Sequence, residues 1–263
     1  MEDVQSSFDD REISIDMVGV TDLVYPIVVL DRANQKQQTT ARISMSVDLP
    51  HHFKGTHMSR FIEVLEDHRG EITLFTLPSF VADLKSRLEA KRAHVHFRFP
   101  YFMARKAPVS GAESVMNYES EFIAEANGGT MDFVLGVSVP VTCVCPCSKA
   151  ISDYGAHNQR GIVDIHVRFA PTDSDATGMV WIEELIEVAE TSASAPVIPL
   201  LKREDERHVT MQAYDNPTFV EDVVRNVAAK LKADLRISWF EVKVVNMESI
   251  HNHSAFAKVS WKR

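Results

Sequence analysis

Three cysteines occupy alternate positions in VTCVCPCSKAISDYGAHNQRG, residues 141–161: Cys143, Cys145 and Cys147, with His157 following. They are all the cysteines in the chain. Thiolate sulfur and imidazole nitrogen are donors that zinc and similar divalent ions prefer, and thiols and imidazoles also pass protons near neutral pH. An odd number of cysteines packed into five residues makes no disulfide framework, and a reducing compartment keeps them as thiols. Metal binding, catalysis and simple burial remain. The segment lacks the paired C-x-x-C knuckles of a structural zinc site, so it supplies about two ligands and the others must come from far along the chain.

Two distant segments offer them. LLKREDERHVT, 200–210, carries Glu204, Asp205, Glu206 and His208, while SIHNHSAFA, 249–257, carries His251 and His253 two apart. In a strand that spacing points both imidazoles to one face; in a turn it can aim one inward and leave the other for a supporting or substrate role. Sulfur, imidazole and carboxylate together form a mixed set, and mixed sites with an open position are more often catalytic than structural. Each residue also has a plainer reading. Cys143, inside a strand, reads as a small buried apolar group. A charge run such as 203–207 is usually a solvated face, which makes Glu204 and Asp205 rivals of Glu206. His94 and His96 share a strand face and need no function.

The elements that must position these groups alternate between two periods. Residues 1 to about 16 read as a mobile tail, and TTARISMSVD then alternates polar and apolar residues as a half-buried strand does. A short helix follows, capped by Ser59, carrying Phe61, Ile62 and Leu65 and closed by Gly70; LPSFVADLKSRLEAKR is a second. Strands are predicted over 94–103, 116–126 and 131–144, the last two joined by a hairpin at Asn127-Gly128, and over 162–170, with a polar loop at 171–178. Helices are predicted over 181–191 and 217–234, the latter with Asn216 as N-cap and Pro217 at its first position, before two closing strands. This order indicates an α+β protein of two similar halves. Pro146 ends regular pairing, so Cys145 and Cys147 fall at the strand end or in the loop beyond it, where active groups often sit.

Composition excludes several classes. With 45% hydrophobic and 25% charged residues the chain is neither disordered nor collagen-like, and no run approaches the ~20 apolar residues of a membrane helix. The acidic, polar start MEDVQSSFDDREISID is unlike a secretory signal, so a cytoplasmic protein is expected. A net charge of −9 argues against nucleic-acid partners, and an anionic ligand would need a local basic cluster. No membrane partner is expected.

Four segments in order, FKGTHMSRF (53–61), CPCSKAISDYGAHNQRG (145–161), LLKREDERHVTMQAYDNPTFVEDVVR (200–225) and HNHSAFA (251–257), resemble the prokaryotic IB-type GTP cyclohydrolases. The likeness runs from about residue 37 to the end. It implies the tunnelling fold: a single unit over 17–263 made of two tandem ββααββ-like repeats, about 37–145 and 146–263, whose antiparallel sheets form an oligomeric barrel. A homotetramer with active sites between subunits is expected. The resemblance further implies hydrolysis of GTP to 7,8-dihydroneopterin triphosphate and formate, the first step of tetrahydrofolate biosynthesis, using zinc, manganese or iron. Carried over residue by residue, Cys145, His157, Glu206 and His251 become metal ligands, Cys147 the catalytic thiol beside them, and Glu221 of FVED the anchor for guanine. Cys145 and His157 thereby count as catalytic residues too.

The chemistry makes those roles sensible. Carbon 8 of guanine is a poor electrophile, so ring opening needs an activated water, which a metal provides, and a proton on the adjacent nitrogen, which a thiol or imidazole provides. Guanine N1–H and its exocyclic amine are adjacent donors that one carboxylate accepts together, which rejects adenine. Lys54, His57 and Arg60 are the first candidate group for the triphosphate, with Lys149, Arg160, Lys202 and Arg203 as others. Rival readings are a relative that stops at a cyclic phosphate, a nitrile reductase of the same fold, and a zinc-stabilised module without activity.

Overall fold

In the computed structural model residues 4–5, 7–70, 72–169 and 178–263 are described. Residues 1–3 and 6 of the expected tail and 171–177 of the expected loop lie outside them. The chain forms two compact units, one from Met1–Pro100 and Glu121–Val134, the other from Tyr101–Ser120 and Leu135–Arg263.

The first unit opens with β1 (Ile15–Asp31) and β2 (Gln35–Leu49), an antiparallel pair. Sequence periodicity does not show β1, because register shifts at Ile15/Val18 and Val20/Leu23 and a positive φ of 59° at Asp22 break its alternation. β2 behaves as predicted: Ala41, Ile43, Met45 and Val47 are all buried. Two helices follow, α1 (Met58–Asp67) and α2 (Leu77–Arg87), and then β3 (Arg92–Lys106), antiparallel to β2. The buried row Ala93, Val95, Phe97 and Phe99 of β3 continues that of β2, and Phe80 of α2 meets Phe97 edge-on with ring centres 5.8 Å apart. The helices therefore cover one sheet face. α1 starts two residues earlier than predicted, with His57 rather than Ser59 at its N-cap, and buries Val64 where Ile62 was expected. Ile62 sits too far round the helix to reach the sheet. On the uncovered face His94 and His96 share a side of β3, and His96 Nε2 lies 2.5 Å from Glu121 Oε2.

The second unit adds parts of β3, of β4 (Glu113–Asn127) and of β5 (Thr130–Val144) to α3 (Pro146–Ile151), β6 (Asn158–Phe169), α4 (Ile182–Glu190), β7 (Ala195–Pro196), α5 (Arg203–Asp215), α6 (Val220–Ala233), β8 (Ile237–Asn246) and β9 (Ala255–Lys262). β5, β6, β8 and β9 pair antiparallel in that order, with β7 beside β5. Alternate residues of the central strands, Val139, Val141 and Cys143, Val163 and Ile165, Val242 and Val244, are buried, as are Leu185, Ile186 and Ala189 of α4 and Val223, Val224, Val227 and Leu231 of α6. Cys143 is the buried apolar residue predicted. Read in order, β1β2α1α2β3β4 and β5β6α4α6β8β9 are both ββααββ, the second interrupted by α3, β7 and α5.

Two local expectations fail here. The helix α6 begins at Val220, not Pro217: the Asp222 carboxylate accepts the Phe219 N–H at 3.1 Å and so fixes the start there. Asn216 instead ends α5, and its amide donates to Ala193 O at 2.9 Å. α5 itself escapes a periodicity reading because it buries only Asp205 and Ala213. Among the described residues no helix is long and apolar enough to cross a membrane.

One buried ion pair tests the packing of this unit. Arg105 Nη2 lies 2.7 Å from Glu190 Oε2, with side-chain exposures of only 14% and 10%, and the Tyr118 hydroxyl donates to Glu190 Oε1 at 3.1 Å. Burial pushes the Glu190 carboxyl above its ordinary 4.5, and Arg105 opposes that shift. Arg105→Ala is expected to cost about 3–5 kcal/mol, because it strands a buried carboxylate. The folded protein holds the Glu190 proton more tightly than the unfolded chain, so this group's contribution is greatest below pH 4.5 and declines as pH rises through the raised value. Without Arg105 that decline steepens. Urea unfolding should therefore show a larger deficit for the variant at neutral than at mildly acidic pH.

Candidate metal and active site

Regular pairing of β5 with β6 ends at Val144 and Asn158. Pro146 then occupies the first position of α3, where a missing N–H costs nothing, and Cys145 becomes the N-cap. Its Sγ accepts the Ser148 N–H at 3.4 Å, and its carbonyl accepts from Lys149 N and Ser148 Oγ, each at 3.2 Å. The Cys145 N–H donates to the His157 carbonyl at 3.1 Å. Cys145 and His157 thus stand opposite one another where the chain leaves the sheet into α3 and where it returns. Cys145 is half-buried, and Cys147, in the first turn of α3, is exposed.

The His157 ring is fixed from its Nδ1 side. Gln159 Oε1 lies 2.8 Å from Nδ1, Ser249 Oγ 3.5 Å and Glu248 Oε2 4.0 Å. Glu248 and Ser249 open the β8–β9 connection, which is anchored by Met247 N–H donating to Arg160 O at 2.9 Å. Gly161, paired with Asn246, allows this close approach: a Cβ there would lie 2.7 Å from Asn246 Oδ1 and 3.3 Å from Cys143 Sγ. His251 and His253 follow in the same connection, a turn rather than a strand. Both rings are exposed and stack on each other with centres 5.1 Å apart.

The acidic run sorts itself. Asp205 is fully buried and accepts four hydrogen bonds, from Val109 N, Ser110 N, Ser110 Oγ and Lys202 N, at 2.6 to 2.9 Å. These bonds hold its carboxyl well below the usual carboxylate range and leave it no capacity for a ligand role. Glu206 stands three and seven residues before Val209 and Ala213, the stripe by which α5 packs on Val144 and Ala156. Its side chain is exposed. Among the described residues, no three Cys, His, Asp or Glu side chains converge as a complete ion-binding group. Cys145 and His157 are joined through their backbones, while Glu206 lies exposed on α5 and His251 exposed in the β8–β9 connection.

Glu221 is exposed in the first turn of α6. That turn is tied to the end of β5: Thr218 N–H donates to Val144 O at 3.0 Å, Val144 N–H to Ser194 Oγ at 3.0 Å, and the Ser194 and Thr218 hydroxyls are 2.9 Å apart. Of the candidate phosphate cations, Lys54, His57 and Arg60 belong to the first unit, where the Arg60 guanidinium donates to Arg87 O at 2.8 Å and lies 3.8 Å from Glu89. Lys149 ties α3 to α5 by donating to Tyr214 O and lying over its ring at 4.2 Å. Sequence reasoning missed Gln159, Glu248, Ser194 and Thr218. The amide and hydroxyls follow no charge or spacing pattern, and the only signal for Glu248 was its closeness to His251.

A family profile described as type I GTP cyclohydrolase FolE2 matches residues 1–257. Proteins named GTP cyclohydrolase FolE2 are similar over nearly the whole length: that of Geotalea uraniireducens is 53% identical over 98% of this chain and 93% of its own, and that of Geobacter sulfurreducens 52% identical over 98% and 97%. Among solved structures, urate oxidase from Bacillus sp. TB-90 superposes with a TM-score of 0.55 at 9% identity, over 95% of this chain and all of that one. Uricase from Arthrobacter globiformis gives 0.53 at 9% identity over 94% and 93%. Those two likenesses concern architecture alone and establish the α+β tunnelling fold. By the profile and by identity above one half across almost its full length, the chain belongs to the type I GTP cyclohydrolase FolE2 family.

Proposed function

We propose that the chain is a metal-dependent GTP cyclohydrolase of the prokaryotic IB type, converting GTP and water to 7,8-dihydroneopterin triphosphate and formate in tetrahydrofolate biosynthesis. The observation that carries this reading is the apposition of Cys145 and His157 within a chain that is 53% identical to a named GTP cyclohydrolase. The donor set suits a divalent ion. His157 Nδ1 is engaged by Gln159, which leaves Nε2 as the atom for a metal, and thiolate with imidazole accepts zinc, manganese or iron. Glu206 and His251 supply the remaining donors from the elements beside the pair. A bound ion supplies Lewis acidity, lowering the pKa of water towards ~7.

The chain's own side chains do the rest. Glu221 accepts guanine N1–H and the exocyclic amine and so orients the base. Cys147, exposed two residues beyond Cys145, delivers a proton to the nitrogen beside carbon 8, which makes that carbon electrophilic and prepares the ring to open. Lys54, His57 and Arg60 hold the triphosphate. Around the site Ile151, Tyr154, Ile250 and Phe256 are 65 to 93% exposed. Apolar groups gathered on such segments favour burial against another copy, which supports a homotetramer with active sites between subunits. Three free thiols suit a cytoplasmic location.

Purified, metal-loaded protein incubated with GTP should release formate and yield a product that fluoresces as neopterin after oxidation and dephosphorylation, and a chelator should abolish both. Absence of formate and of fluorescence with every metal tried would overturn the proposal.

A further inference from the structure

We infer that Gln159 is the positioning residue that sets the tautomer and ring orientation of His157. Gln159, near the start of β6, is 7% exposed and lies between His157, just before that strand, and Glu248 of the β8–β9 connection. Its Nε2 faces Glu248 Oε1 at 3.4 Å, and its Oε1 faces His157 Nδ1 at 2.8 Å. A carboxylate only accepts, so the amide must turn its NH2 towards Glu248. Its carbonyl oxygen is then left towards the imidazole, and a carbonyl oxygen only accepts. His157 must therefore carry its proton on Nδ1. In a neutral ring the lone pair is then on Nε2, the nitrogen on the opposite side from Gln159.

The chain Glu248–Gln159–His157 also locks the ring plane. Ser249 Oγ, 3.5 Å from Nδ1, closes the same side, and Gln159 itself is held at the strand position paired with Cys143. A free imidazole in water has no such bias imposed on it, and rotating the ring would break the 2.8 Å bond at its buried edge. Outer hydrogen bonds of this kind raise ligand basicity and orient the donor atom, and their loss weakens metal affinity by about 10–100-fold. As a statement about metal this inference rests on the functional reading above. As a statement about the histidine it does not.

The test separates the two. Metal-free protein labelled with 15N histidine reports the tautomer through the ring-nitrogen shifts, and a competing chelator reports zinc affinity. Wild type should show a protonated Nδ1 and a bare Nε2. Gln159→Leu should lose that preference and bind zinc about 10–100-fold more weakly. Gln159→Met, which keeps the length of the side chain but offers no amide, should lose the preference in the same way and guards against a leucine variant that fails to fold. A wild-type ring protonated on Nε2, or a folded Gln159→Leu protein with tautomer and affinity unchanged, overturns the inference. If the tautomer follows Gln159 while wild type binds no metal and releases no formate, the inference stands for the histidine and the functional reading falls.

Discussion

Cys145→Ala and His157→Ala should each lower formate release from GTP by about 10³-fold or more while leaving the protein folded. The proposed function puts both residues at the reacting centre, yet neither carries much of the fold. Cys145 caps a six-residue helix through one long contact from Ser148 N to sulfur, and α3 buries no side chain of its own. The backbone bond from Cys145 N to His157 O survives either substitution. Initial rates should collapse, bound metal should fall below stoichiometric, and the circular dichroism spectrum should match wild type. Cys143→Ala is the contrasting control. It removes a buried sulfur from the strand interior, so it should cost about 1–2 kcal/mol of stability with turnover retained. A zinc-stabilised module without activity would behave in the opposite way, unfolding when Cys145 is removed.

Glu221→Gln should lower kcat/KM for GTP by about 10³–10⁵-fold. In the proposed anchoring role the carboxylate accepts two adjacent donors of guanine, whereas the amide offers its own NH2 against one of them and leaves a polar group unpaired. The effect on stability should be small. Glu221 is exposed in the first turn of α6, where its charge is worth about 0.3–1 kcal/mol against the helix dipole. Loss of rate with Tm nearly constant therefore distinguishes a base anchor from an ordinary helix-start charge. Inosine triphosphate, which lacks the exocyclic amine, should lose less from the substitution than GTP does. Equal kcat/KM for wild type and variant would refute the anchoring role.

The sequence made strands and helices legible where one face is buried and the other wet. β2, with Ala41, Ile43, Met45 and Val47 inward, and α4, with Leu185, Ile186 and Ala189 inward, both show their period directly. β1 hid behind its bulges, and α5 behind a surface so polar that only Val209 and Ala213 form its packing stripe. The residues of the proposed site, Cys145, His157, Glu206 and His251, stand out in the sequence by chemical type. Distance in the chain concealed how they are held. Nothing in a linear reading connects Gln159 to Glu248 or Ser194 to Thr218, because those bonds depend on strand register and helix docking. Burial also removed Asp205 from the acidic run, a distinction that side-chain type alone could not draw.

The hydroxyl link joining Val144, Ser194 and Thr218 has a kinetic corollary. Its partners are 50 and 24 residues apart in sequence, so the link forms only after the helices have settled on the sheet. Contacts of such long range come late in folding. The mouth of β5 should accordingly be among the last parts of the second unit to acquire protection during refolding. Amide hydrogen exchange at Val144 and Thr218 would then time the moment at which a newly made chain becomes competent.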